Sequence, residues 1–196
     1  MNFGFRNMYL KKVRMKNIKN YYTEKQLKEL LSHFIIIHDS AEKSNQHILD
    51  YFDKKNIRHK ERKLKTGDYN FMIESCPKLG FPIDTYFTDE LCIERKSGLD
   101  EIAGNIKAHD ERFFKELNRM INIQNCYLLI EDCRLDDIIE HNYQSEYNEL
   151  AYLRRLLGVQ RVSNFYMNFV KKENMGQMIY EICYGVLMSQ IMKGGV

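Results

Sequence analysis

The chain has 196 residues, 44% hydrophobic and 29% charged, a composition that suits one globular domain with a sizeable core. Its net charge of +3 permits nucleic-acid binding without arguing for it, because a sum hides local clusters. No apolar run reaches membrane-spanning length, and the five cysteines (Cys76, Cys92, Cys126, Cys133 and Cys183) are odd in number with no C-x-x-C pair, which suggests neither a disulfide framework nor a zinc site. A reducing, cytoplasmic setting with no membrane partner is the expectation. The N-terminus is basic but lacks the apolar core of a signal peptide.

Residues 1–22 read as a basic arm (Arg6, Lys11, Lys12, Arg14, Lys16, Lys19) and residues 23–196 as a single domain. Thr23 with Gln26 three positions on is a capping signature for a helix that places Leu27, Leu30 and Leu31 on one side. Residues 34–37 form a continuous apolar run, hence a buried strand, ending in His38-Asp39-Ser40. A helix follows over 44–55, with Ile48, Leu49 and Phe52 at helical spacing, and strand-then-helix order predicts an α/β arrangement. Residues 57–65 are extended and highly charged. The turn Thr66-Gly67-Asp68 then brings the chain back as a strand over 69–73, in the manner of a hairpin. Residues 74–90, with Pro77, Gly80 and Pro82, read as a loop. A strand over 91–96 leads to a helix from about Leu99, with Ser97 as its cap. Another helix from Asp110 carries Phe113, Phe114, Leu117, Met120 and Ile121. Residues 127–130 are a second buried strand ending in Glu131-Asp132. A helix at 150–157, a strand at 162–170 and a long helix at 175–192, either core or a dimer seam, complete the chain.

The chemistry centres on Leu91-Cys92-Ile93-Glu94-Arg95-Lys96 and on Gly67-Asp68. On a strand Glu94 and Lys96 share a face, and a neighbouring strand brings Asp68 alongside. An E-x-K pair alone is ordinarily a solvated face. Here it lies between an apolar entry and a helix start. Two carboxylates, with the Arg95 carbonyl as a further oxygen, suit magnesium, which accepts one or two carboxylates and keeps several waters. Such an ion polarises a phosphate and acidifies water, and Lys96 would position that water or neutralise developing charge. Phosphodiester hydrolysis is the chemistry implied. Arg95 faces the other way, as a brace behind the site or a phosphate contact at the sheet edge. The second triplet, Glu61-Arg62-Lys63, has no apolar entry and reads as an exposed strand near DNA with little catalytic weight. The six histidines show no ligand spacing. Lys107, Arg112, Lys115 and Arg119 recur along successive turns as a phosphate-facing stripe or a solvated face. Tyr143, Tyr147 and Tyr152 either stack on bases or pack beneath the last helix, and packing is the stronger reading.

Gly67-Asp68, then Glu94-Arg95-Lys96, then Asp100 resembles the GD…ERK-x-x-x-D signature of the XPF-type nuclease domain, within the PD-(D/E)xK nucleases. The resemblance spans roughly residues 34–131 in order. It takes in Asp39-Ser40-Ala41-Glu42, where the family has D-x-R-E, and Arg112-Phe113 on the helix after the motif. It implies a restriction-endonuclease-like fold, a central mixed sheet flanked by helices, in a compact bacterial or phage form. Asp68 and Glu94 then resemble the metal ligands, with Asp39 a further acid at the metal. Lys96 resembles the catalytic lysine and Glu42 a nearby helix-side carboxylate. Asp100 would brace the loop through backbone or Arg95, and Arg112 would touch a phosphate. Two departures stand out. Ala41 replaces the family's arginine, and no tandem helix-hairpin-helix module follows residue 131.

The expected function is a magnesium-dependent DNA endonuclease, with manganese as substitute, acting on flapped or branched DNA, with selection supplied by a homodimer, a partner or the basic arm. The rival is a non-catalytic DNA-binding or scaffold subunit. Such a subunit is expected to lose the acids and the lysine, all three of which are present.

Overall fold

The computed structural model describes residues 22–107 and 111–193. Helix α1 (Glu24–Ser32) opens on the capping box formed by Thr23 and Gln26, and the apolar run becomes β1 (Phe34–His38). Then come α2 (Gln46–Lys54), β2 (His59–Glu61), β3 (Tyr69–Ile73), β4 (Thr85–Tyr86), β5 (Leu91–Lys96), α3 (Leu99–Lys107) and α4 (Glu111–Met120). The chain continues through β6 (Asn125–Glu131), α5 (Leu135–Ile139), α6 (Glu149–Ser163), β7 (Tyr166–Val170) and α7 (Met175–Lys193). The strands form one sheet in the order β2-β1-β3-β5-β6-β7, with β4 beside β3. Strand β3 runs antiparallel to β1 and β5, while the β1–β2, β5–β6 and β6–β7 pairs are parallel. The fold is therefore α/β with a mixed sheet, as the sequence indicates.

This topology decides where charge collects. The carboxyl ends of β1, β2, β5, β6 and β7 and the start of β3 all lie at one end of the sheet, the end at which open α/β sheets bind ligands. The two faces are built by strand alternation. On one side Ile36, Phe71, Ile93 and Leu129 pack under Ile48 and Phe52 of α2 and Ile179, Cys183 and Leu187 of α7. On the other, Cys92, Leu128 and Ile130 pack under Ile102 of α3, Leu117 of α4, Ile138 of α5 and Tyr152 and Leu156 of α6. The last helix is thus core. Tyr143, Tyr147 and Tyr152 pack together on the opposite face from it, with the Tyr152 hydroxyl donating to the Leu99 carbonyl (2.7 Å).

Four local expectations change. Residues 59–61 do not hairpin onto 69–73: β1, apolar on both faces, sits between them and pairs with each. The connecting segment folds over the sheet instead, burying Leu64 against Ile35, Ile37 and Met72. The 74–90 stretch contains a 3-10 turn at Pro77–Leu79 and the short β4. Helix α5 was not anticipated, because five residues are too few to show a periodicity. Helix α6 runs on through Val162, which is 69% exposed, and stops where Asn164 adopts a left-handed conformation (φ 51°). The proposed arm lies outside the described residues except for Tyr22, whose hydroxyl donates to the Leu79 carbonyl (2.7 Å). No helix among the described residues is long and apolar enough to cross a membrane.

Replacing Ile36, fully buried in the centre of the sheet, by alanine is expected to cost about 2–5 kcal/mol in urea unfolding, whereas Ile83→Ala, at a 70% exposed position, is expected to be near neutral.

Candidate active site

The site begins with a glycine. Gly67 has φ +75°, and a Cβ there would lie 2.5 Å from Cys92 Sγ and 2.9 Å from the Ile93 carbonyl oxygen. Only glycine lets the turn press so closely against β5. That approach allows the Asp68 N–H to donate to the Ile93 carbonyl (2.8 Å) and the Asp39 N–H to donate to the Asp68 carbonyl (2.8 Å). Asp68 is thereby fixed between the ends of β1 and β5, and its Oδ2 accepts the Arg95 N–H (2.8 Å).

Alternation along β5 then divides two networks. Glu94 and Lys96 share the face of Cys92, and Lys96 Nζ lies 3.0 Å from Glu94 Oε1 and 3.2 Å from Glu101 Oε1. Glu101 is itself held: its Oε2 accepts the Ser97 N–H (2.8 Å) and the Ser97 hydroxyl (2.9 Å). Ser97 therefore works by fastening Glu101. Burial, reinforced by the neighbouring Glu94, pushes the Asp68 carboxyl well above its ordinary range, although the Arg95 N–H and Lys96 oppose the shift. Burial also disfavours charge on Lys96, but Glu94, Glu101 and Asp68 outweigh it and hold the ammonium above its ordinary range. For Glu101, burial is outweighed by Lys96 and Ser97, and its carboxyl is lowered.

Arg95 points to the opposite face. Its Nε donates to Glu131 Oε1 and its Nη2 to Glu131 Oε2, both at 2.9 Å. Nη2 also reaches the Ser44 carbonyl (3.1 Å) and Nη1 reaches Glu42 Oε1 (3.3 Å). Glu131 is 3% exposed, and His47 Nε2 lies 2.6 Å from its Oε1. Of the two readings of Arg95, the structure shows the brace. A fork-shaped guanidinium ties β5 to the end of β6 and to the β1–α2 loop, while its backbone holds Asp68.

The structure brings Asp68, Glu94 and Lys96 together, with Glu42 close enough to add to the upward push on Asp68. It does not bring the Asp39 carboxylate into that group. Asp39 Oδ1 accepts the Leu64 N–H (3.0 Å) and Oδ2 pairs with Lys63 Nζ (3.1 Å), so it fastens the segment that precedes Asp68. Those two bonds and Lys63 offset burial and lower its carboxyl. Asp100 does brace a loop, but not through Arg95: its Oδ1 accepts the N–H groups of Gln144 (2.9 Å) and Ser145 (2.8 Å). The backbone of Arg112 belongs to α4, and its side chain lies outside the described residues. Three functional-looking residues escaped the sequence reading. Glu101 sits in the first turn of α3, the helix after Lys96. Glu131 ends an apolar run, where a buried charge demands a partner. His47 carries no sequence signal.

Among the described residues no group of three His, Cys, Asp or Glu side chains is gathered to hold a metal ion. The set of Asp39, Asp68 and Glu94 is therefore not gathered as a group of ligands. Two adjacent hard carboxylates with mutual repulsion to relieve do fit a hard divalent cation that leaves its other positions to water and phosphate.

A seven-stranded mixed sheet covered by helices on both faces, with charged residues collected at one end, defines an α/β protein. A profile of the ERCC4 domain matches residues 38–182, most of the chain, and the chain belongs to that family, the XPF-type nuclease domain. Similar solved structures include XPF from Aeropyrum pernix, with a TM-score of 0.55 and 13% identity over 81% of this chain and 69% of that one. The same protein in complex with DNA gives a TM-score of 0.54 and 12% identity over 79% of this chain and 66% of that one. At such identity the likeness concerns the fold alone. No curated protein matches the sequence.

Glu131→Ala leaves a buried guanidinium without its main partner and is expected to cost about 3–5 kcal/mol in denaturant unfolding. Asp68 is held above its ordinary carboxylate range, so the stability associated with its neutral form is present below about pH 3.9 and is lost as pH rises through the folded value. Asp68→Asn cannot ionise. In chelator at neutral pH it is expected to melt above the wild type, with the gap closing toward about pH 4.

Proposed function

We propose that this chain is a magnesium-dependent DNA endonuclease, with manganese as substitute, that hydrolyses phosphodiester bonds in flapped or branched DNA. The observation that carries the proposal is geometric: the β3–β5 register sets Asp68 opposite the Glu94 end of β5, with Lys96 Nζ 3.0 Å from Glu94 Oε1, at the carboxyl end of the sheet. Asp68 and Glu94 are the ligands in this reading. A divalent ion held by these two carboxylates would supply Lewis acidity to the scissile phosphate and to an attacking water. Lys96 stays protonated under the field of Glu94, Glu101 and Asp68, so its part is to stabilise charge on the phosphate rather than to take a proton. Glu101, pinned by Ser97, sets the position of that ammonium. Arg95, locked by Glu131, holds Asp68 at its place through the backbone.

DNA as the substrate is supported by family membership and by the fact that XPF from Aeropyrum pernix has been solved in complex with DNA. Nothing in the chain resembles a base-reading module, which favours selection by DNA shape. A homodimer is part of this proposal; Leu150 and Leu157, both exposed on one side of α6, are apolar side chains it would use.

End-labelled duplex, single-stranded, flap and four-way-junction DNA are the substrates for the test, each with magnesium or manganese. Wild-type protein is expected to cut the branched forms. Asp68→Asn is expected to abolish cutting, and Lys96→Ala to reduce it about 10²–10³-fold. Tight binding of branched DNA by pure wild-type protein without cutting in either ion would replace the enzyme by a non-catalytic subunit.

A further inference from the structure

The triplet Glu61-Arg62-Lys63 has no place in the catalytic reading, yet the fold puts it beside the site. Strand β2 runs parallel to β1, so residues 60–65 emerge at the sheet end that carries Asp68 and Glu94. With neighbouring strands about 4.8 Å apart, β2 lies two spacings, about 10 Å, from β3, whose first residue follows Asp68. Lys60, Arg62, Lys63 and Lys65 are all exposed there, against a single acid, Glu61.

This segment is fixed rather than trailing. The Arg62 N–H donates to the His38 carbonyl (3.0 Å), the Leu64 N–H donates to Asp39 (3.0 Å), and Leu64 is buried against Ile35, Ile37 and Met72. The Arg62 guanidinium lies 4.0 Å from the centre of the Tyr86 ring. Asp39 is thus the link: its carboxylate anchors the cationic segment, and its backbone N–H bonds the carbonyl of Asp68. On the other flank Asp132, Asp136 and Asp137 follow β6, but Arg134, Lys171 and Lys172 stand among them, with Arg134 3.8 Å from Asp137, so cations there are matched by acids, whereas residues 60–65 set four cations against one acid.

We infer that residues 60–65 form a phosphate-binding rim that receives the DNA backbone on the β2 side and leads one strand across the end of the sheet to Asp68 and Glu94. The inference rests on the nuclease reading for the polarity of the path, but binding can be measured without cleavage. Lysines at fixed positions along a strand edge suit a phosphate chain, whose binding displaces condensed counterions and so depends steeply on salt.

The test is fluorescence anisotropy of a labelled flap DNA with the full chain, in calcium or chelator, over a range of salt. Three double variants carry equal charge changes. Lys63→Ala/Lys65→Ala removes two rim cations. Lys60→Ala/Lys65→Ala removes two while leaving the Lys63–Asp39 ion pair in place. Lys54→Ala/Lys55→Ala removes two exposed cations at the end of α2, which lies toward the opposite end of the sheet. Both rim variants are expected to bind more weakly, with a log–log salt slope shallower by about 1.4 to 1.8. The α2 variant is expected to match the wild type. Equal slopes for rim and α2 variants would overturn the inference, and loss of cutting by Asp68→Asn with unchanged binding would still stand for the nuclease reading in that case. An absence of DNA binding by the wild type would overturn both.

Discussion

Two carboxylates held side by side at the end of a sheet, with one lysine against them, form the constraint on which this molecule turns. Burial and mutual repulsion make the ionised state of Asp68 costly in the absence of a cation. A fold selected only for stability would not keep that arrangement. Its neighbours are arranged to maintain it. Gly67 permits the close approach, the Arg95 N–H accepts the geometry by donating to Asp68, and Glu94 with Glu101 keeps Lys96 charged. The repulsion is thus stored in a site that a divalent ion would relieve.

The surrounding structure supplies rigidity from the opposite face of the same strand. Successive residues of β5 point alternately, so Glu94 and Lys96 face the candidate site while Arg95 between them enters a buried ionic cluster with Glu131 and Glu42 and donates to the Ser44 carbonyl. One three-residue stretch therefore belongs to two networks that never compete for the same space. The cluster couples the ends of β5 and β6 to the β1–α2 loop, and the backbone of Arg95 transmits that order to Asp68. Asp39 does comparable work on the other side, joining the cationic 60–65 segment to the start of β3.

Much of this was legible in the residues. The apolar runs at 34–37, 91–93 and 127–130 announced the central strands, and period-two alternation placed Glu94 with Lys96 and turned Arg95 away. The Gly-Asp turn was visible because glycine at a tight approach leaves a mark in the sequence. What was not legible was pairing. The charged stretch 57–65 looks like the first arm of a hairpin, and only the doubly buried β1 between it and β3 shows otherwise. Asp39 looked like a ligand by its place in a family pattern. Its carboxylate instead meets Lys63 and Leu64, a contact set by the path of a loop. Glu131 and His47 were missed for the same reason: their partners are distant in sequence, and no spacing encodes them.

The central claim is that Asp68 and Glu94 together receive a divalent ion. The most direct measurement is titration of the wild-type chain with manganese, followed by electron paramagnetic resonance of the free ion, alongside Glu94→Gln and Asp68→Asn. Saturable binding in the wild type that is lost in both variants is the predicted result. Equal binding by all three proteins, or none by the wild type, would contradict the account.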